Sequence, residues 1–196
     1  MRRVIQRLTR HPGRGNAVLA RGPIVSSFSR NHFELLGLPP AYAVDSARLE
    51  SGYRQLQSQV HPDRFAAAGE AERRVAMQWA ARANEAYRTL RDPVGRARYL
   101  LGLKGFDTGE ETNTAMPPDF LMQQMEWREA VAEARGARDA ARLASLRAGL
   151  QGERADMLRQ LERAIDRESN YDAGCSLVRM LRVLEKLDEE IDEGLA

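Results

Sequence analysis

Cysteine is all but missing: Cys175 is the only one in 196 residues. No intrachain disulfide can form, and a Cys-rich zinc or iron–sulfur site is excluded. Histidine occurs at His11, His32 and His61 alone, too far apart in sequence to suggest a metal site. No Gly-rich phosphate loop, nucleophile–base pair or zinc spacing is present. The sequence thus predicts a non-enzyme without cofactor or metal. No apolar run approaches the roughly 18 residues that a membrane span needs. Aromatic residues make up only 6%, while alanine and leucine are abundant, which favours helices. Lysine is nearly absent too: Lys104 and Lys186 stand against 28 arginines, a bias associated with GC-rich, more often bacterial, genomes.

Acid is missing from the first 33 residues, which hold seven arginines. Residues 34–105 then carry a net +3 and residues 106–196 a net −8, within an overall +2. The body is mildly acidic, so a nucleic-acid-binding role loses its electrostatic support. The head, residues 1–30, holds Pro12, Gly13, Gly15, Gly22 and Pro23 and no secretory apolar core. It reads as a disordered tail or an extension upstream of a misassigned start. Its Arg-rich, acid-free, Ser-containing composition also resembles a mitochondrial transit peptide, and a basic arm for nucleic acid is a further alternative. The expected location is the bacterial cytoplasm, with the mitochondrial matrix as the alternative.

Helical periodicity begins at Asn31, where Glu34 follows at capping-box spacing. Asp45 marks the start of a helix to about Val60, with Leu49, Tyr53, Leu56 and Val60 on one face. Pro62 stops it. The next helix starts after Gly69, and Val75, Trp79, Ala83, Ala86 and Leu90 share its inner face. Asp92-Pro93 opens another, since proline at the first helical position loses no needed donor. Residues 105–116 are polar and rich in turn formers, which predicts a linker. Three helices follow, over about 118–135, 138–167 and 172–193, with breaks at Gly136 and at 169–172. Short loops make them antiparallel, hence a three-helix bundle. No alternating strand pattern occurs. The expected fold is all-α.

His61-Pro62-Asp63 lies between two amphipathic helices. Proline disfavours the α conformation at His61, so the helix ends there, and its fixed φ aims Asp63 away from the helix end. A carboxylate held with little freedom can accept charge-assisted hydrogen bonds from a basic partner.

These residues, with Phe33-Glu34-Leu35-Leu36-Gly37-Leu38, Tyr53-Arg54-Gln55-Leu56, Arg64-Phe65 and Asn84 to Pro93, resemble a J domain over residues 32–103. The resemblance implies stimulation of ATP hydrolysis by a DnaK-type chaperone, with His61, Pro62, Asp63, Arg64 and Arg54 as the chaperone-binding set. Arg64 stands where the family has lysine, and the helix before the loop holds only Arg48 and Arg54 as bases. The second half, from Tyr99 to Asp107 and from Phe120 to Glu129, is similar to the HscB family of J-type co-chaperones in iron–sulfur cluster biogenesis. This implies an L-shaped molecule with a J domain over residues 31–104, a linker over 105–116 and a bundle over 117–194. The implied partners are a DnaK/HscA-type chaperone and an IscU-like scaffold protein, with neither nucleic acid nor membrane. A helical adaptor, or a general J-domain protein without iron–sulfur specificity, is the alternative.

A helical projection of residues 120–134 at about 100° per residue groups Phe120, Trp127, Val131 and Ala134 as a sufficient core stripe. Leu121, Met122, Met125, Glu126, Glu129 and Glu133 occupy an adjacent arc of about 140°. One reading makes Leu121 and Met125 a widening of the core and the glutamates a solvated face, since a broad apolar stripe is normal. The other makes the arc a docking surface, and the family resemblance assigns scaffold binding to these six positions. His32 is expected at the surface or as a cap, and Cys175 as a small buried hydrophobe.

Overall fold

Asn31 and Glu34 cap each other. The Asn31 side chain accepts the Glu34 N–H at 2.9 Å, and the Glu34 carboxylate accepts the Asn31 N–H at 3.0 Å, which satisfies two donors that a helix start leaves unpaired. The computed structural model describes residues 30–65, 69–110, 112–113 and 115–195. The expectations for the head fall on residues 1–29 and lie outside the described residues, Arg30 excepted.

The capped segment forms α1 (His32–Leu35), followed by α2 (Ser46–Val60) and a single helical turn over Pro62–Phe65. Then come α3 (Glu70–Arg91), α4 (Pro93–Leu103), α5 (Pro118–Ala137) and α6 (Ala140–Glu162). A π-helical turn (Arg163–Arg167) extends α6 towards α7 (Tyr171–Leu195). There is no strand among the described residues. The fold is all-α: an antiparallel pair, α2 and α3, with short flanking helices, then a three-helix bundle of α5, α6 and α7.

Local chemistry explains most boundaries. Asp45 accepts the N–H of Ala47 and Arg48, and Asp92 accepts that of Gly95 with Pro93 at the first helical position. Caps of this kind contribute about 1 kcal/mol each. Tyr53 stacks on Tyr87 at 4.3 Å, and its hydroxyl donates to Asn84 Oδ1 at 2.7 Å, joining α2 to α3. Gly52 is required where α2 crosses the α1 turn, because an added Cβ would lie 2.2 Å from the Leu36 carbonyl oxygen.

Two expectations are corrected. Gly136 does not break the chain: α5 runs through it to Ala137, and the stop is Arg138 in the left-handed region at φ 53°, with Asp139 capping α6. One helical glycine costs only about 1 kcal/mol, which the packing of α5 offsets. His32 is not a surface side chain. It is buried, its ring stacks on Tyr99 at 4.2 Å, and its backbone N–H donates to the Tyr99 hydroxyl at 2.9 Å. Cys175 is buried as expected, and burial pushes its thiol pKa up.

One apolar core runs through both halves, from Phe33 and Leu90 through Leu100 and Leu101 to Leu181 and Leu187. Helix α4 packs on α7, and Gly174 permits the approach, since a Cβ there would meet Leu101 and Ile165 at 3.3 Å. The polar stretch after α4 is pinned as well. Arg98 holds Glu110 by two hydrogen bonds of 2.5 and 2.6 Å, and Arg179 donates to the Thr108 carbonyl at 2.8 Å.

Candidate functional site

Helix α2 delivers the first candidate site. Its last residue, Val60, is buried at 1% exposure and anchors the helix end. His61 then leaves the helix in an extended conformation (φ −59°, ψ 128°), as the following proline requires. His61, Asp63 and Arg64 are exposed. The Asp63 N–H donates to His61 Nδ1 at 3.4 Å, and the carboxylate Oδ2 lies 3.5 Å from the same atom. Arg64 turns back and donates to the Ser58 carbonyl at 2.7 Å. A cation on the last carbonyls of a helix also complements its dipole.

Arg64 is therefore engaged by its own helix, and the Asp63 side chain, 89% exposed, stands clear. The corner presents a pre-positioned carboxylate that a partner's guanidinium or ammonium can meet without first ordering it. Arg54 is exposed on α2 and lies 3.6 Å from Glu50, an exposed i,i+4 pair of about 0.3–0.5 kcal/mol that a partner can displace. Arg48 faces Asp45 in the same loose way.

The second candidate site is the outer face of α5. Phe120, Val131 and Ala134 are buried and Trp127 is half-buried, so the stripe read from the helical projection does face the core. Met122 and Met125 are 64% and 67% exposed, and Leu121 is exposed at 36%. Met122 and Met125 therefore do not widen the core, while Leu121 keeps about a third of its surface in solvent. Glu126, Glu129 and Glu133 are exposed beside them, and none joins an ion pair among the described residues. Flexible methionines exposed together make an adaptable apolar surface, and unpaired carboxylates at its edge attract a basic partner.

The sequence reading left out the other wall of this face. Leu121 also lines a cleft between α5 and α7, together with Met116, Val183, Arg182 and Lys186. The signal was present in the i, i+4 spacing of Arg182 and Lys186 on α7, but only the packing shows that they face Leu121. Among the described residues no cluster of three or more His, Cys, Asp or Glu could hold a metal ion. No helix among the described residues is long and apolar enough to cross a membrane.

An antiparallel helix pair joined by a His-Pro-Asp corner defines a J-domain protein, and residues 31–99 match the DnaJ domain family. Residues 116–192 match the family described as HSCB C-terminal oligomerisation domain. The chain belongs to the HscB family of J-type co-chaperones. It is 52% identical over 165 residues to a co-chaperone protein HscB homolog of Burkholderia multivorans, an alignment covering 84% of this chain and 94% of that relative. Chaperone HscB from Vibrio cholerae superposes with a TM-score of 0.72 at 37% identity, covering 84% and 96% of the two chains. Human co-chaperone protein HscB does so with a TM-score of 0.79 at 27% identity, covering 85% and 83%.

Proposed function

We propose that this chain binds an IscU-like iron–sulfur scaffold protein on α5, delivers it to a DnaK/HscA-type chaperone and stimulates that chaperone's ATPase through the His61–Asp63 corner. It performs no bond chemistry of its own and accelerates a partner's. The observation that carries the reading is the exposure of Leu121, Met122 and Met125 on a helix whose core stripe is already filled by Phe120, Val131 and Ala134. The Asp63 carboxylate supplies the second contact, to the chaperone, well separated in sequence from the first. Bacterial relatives named co-chaperones support a cytoplasmic setting.

The test has two arms. Titration calorimetry with an IscU-like scaffold is expected to give saturable binding, and single-turnover ATP hydrolysis by an HscA-type chaperone is expected to accelerate when the chain is added. Stimulation without scaffold binding would leave a general J-domain protein. Binding without stimulation would leave a helical adaptor.

A further inference from the structure

The corner at Pro62 leaves a gap in the hydrogen bonding of α2. In a helix each carbonyl is met by the N–H four residues further on. For Ser58 that residue is Pro62, and proline has no N–H to give. The proline that ends α2 therefore also strips the Ser58 carbonyl of its regular donor. Arg64 supplies the replacement: its Nη1 reaches back across six residues to the Ser58 oxygen at 2.7 Å.

This bond closes a ring around the corner. The Arg64 backbone N–H donates to the His61 carbonyl at 3.1 Å, while the Arg64 side chain holds the end of α2. Asp63 lies between the two attachments, and its own N–H donates to His61 Nδ1. The restraint falls on the backbone on either side of Asp63 and leaves its carboxylate exposed.

The other cations of α2 are held differently. Arg48 and Arg54 lie 3.9 and 3.6 Å from Asp45 and Glu50, exposed pairs that open at little cost when a partner arrives. Arg64 can leave Ser58 only by giving up a charge-assisted hydrogen bond at a helix C-terminus, where the helix dipole also favours a cation. Leaving it would free the corner as well.

We propose that Arg64 is a positioning residue: it clips the Ser58 carbonyl that Pro62 leaves bare and so holds Asp63 in place, while Arg54 carries the cationic contact to the chaperone. This rests on the co-chaperone reading of the corner and withdraws Arg64 from the contact set that the family resemblance implies. A lysine at this position can make the same bond, but a guanidinium fork loses less freedom in making it. A corner that is ordered beforehand spares the complex the cost of ordering it. Without the clip the bound chaperone orders the corner itself, so affinity changes and maximal stimulation does not.

Arg64→Met removes the donor and keeps an apolar stem of similar length. Nitrogen-15 relaxation of the free full chain should show lower backbone order at His61, Asp63, Arg64 and Phe65, with helicity at the wild-type level. In ATP hydrolysis by an HscA-type chaperone, the half-saturating concentration of this variant should rise about three- to tenfold, as for a segment that must be ordered on binding. Its salt dependence should match wild type, because no charge is lost from the interface. Arg54→Gln should do the reverse, with wild-type order at the corner and a flatter salt dependence. Arg64→Lys should return the half-saturating concentration to within about twofold of wild type, since lysine too can bond a terminal carbonyl. Wild-type order in Arg64→Met together with a flatter salt dependence makes Arg64 a direct contact, which overturns the inference and leaves the co-chaperone reading standing. Lost order with an unchanged half-saturating concentration overturns it too, because the clip then serves the fold alone. A fall in maximal stimulation has the same consequence. A wild-type chain that does not stimulate the chaperone overturns both the inference and the reading beneath it.

Discussion

Asp166 accepts the backbone N–H of Tyr42 at 2.8 Å, across 124 residues of sequence. Its second oxygen takes the Ala43 N–H at 2.8 Å, so one carboxylate ties the loop before α2 to the π-helical turn after α6. The Arg96 guanidinium lies 5.1 Å from the Tyr42 ring centroid on the same seam. The J domain and the bundle are therefore joined by polar contacts as well as by the shared core of α4 and α7.

Asp166→Ala leaves two backbone donors without their acceptor. Ala43 is exposed, so water replaces its acceptor, whereas Tyr42 is buried and its N–H loses more; the expected cost is about 1–2 kcal/mol. A thermal melt measures that. Residual dipolar couplings should show a broader spread of J-domain orientations against the bundle, while helicity stays at the wild-type level. Unchanged couplings would assign the orientation to the apolar core alone.

His32 predicts a pH dependence. Burial lowers its pKa, with a smaller opposing effect of Glu85 and a reinforcing one of Arg82. Its Nδ1 is buried without a hydrogen-bond partner. The folded state therefore binds the proton less readily than the unfolded chain, whose histidine titrates near about 6.5. Where the unfolded state holds more protons, stability rises with pH. The contribution is fully present above about pH 6.5 and is lost as pH falls from there towards the lowered folded value. Melting temperatures measured between neutral pH and pH 5 should fall more steeply for wild type than for His32→Phe, which keeps the stack on Tyr99. Parallel curves would show that carboxylates set the slope.

The parts of this architecture that were legible in the sequence are local ones. Asn31 with Glu34, Asp45, and Asp92 with Pro93 state helix starts in a few adjacent residues, and all three form as read. The split of α5 into a buried stripe and an exposed arc was legible because helical periodicity places side chains from sequence alone. What was not legible depends on distant partners. His32 is buried by Tyr99, 67 residues away. The acceptor role of Asp166 and the shared cleft of Leu121 with Lys186 exist only once α6 and α7 have packed. Gly136 was misread as a break because its intrinsic cost was weighed without the packing that overrides it.

Asp63→Asn separates the two proposed activities. It keeps the shape of the corner and removes the charge, and among the described residues no ion pair other than the loose contact with His61 is lost. Stimulation of an HscA-type chaperone's ATPase is expected to fall to near baseline, because charge-assisted hydrogen bonds are roughly twice as strong as neutral ones. Scaffold affinity and the thermal melt are expected to stay at wild-type values. Full stimulation by this variant would show that the corner acts through its backbone shape and not through its carboxylate.

The α5 face offers the sharpest separation of structure from binding. A leucine or methionine cut to alanine in a core costs about 2–5 kcal/mol of stability, so a buried triple would unfold the bundle. Met122 and Met125 are about two-thirds exposed and Leu121 about one-third, so truncating the methionines removes little that the folded state buries and truncating Leu121 removes part of one side chain's burial. An apolar anchor at the centre of an interface costs about 1–2 kcal/mol or more of binding when truncated. The triple variant Leu121→Ala/Met122→Ala/Met125→Ala is therefore expected to keep its helicity and melt while losing measurable scaffold binding. Exposed carboxylates act mainly on encounter rate, so Glu126→Gln/Glu129→Gln/Glu133→Gln is expected to weaken binding less, chiefly in the association rate, and more at low salt than at high. Neither triple variant touches the corner at Asp63, so both should stimulate the chaperone normally when no scaffold is present. A melt lowered by several degrees in the apolar triple would mean that these side chains stabilise the bundle after all. A glutamine triple that loses more affinity than the alanine triple would make charge, and not apolar contact, the main source of scaffold capture.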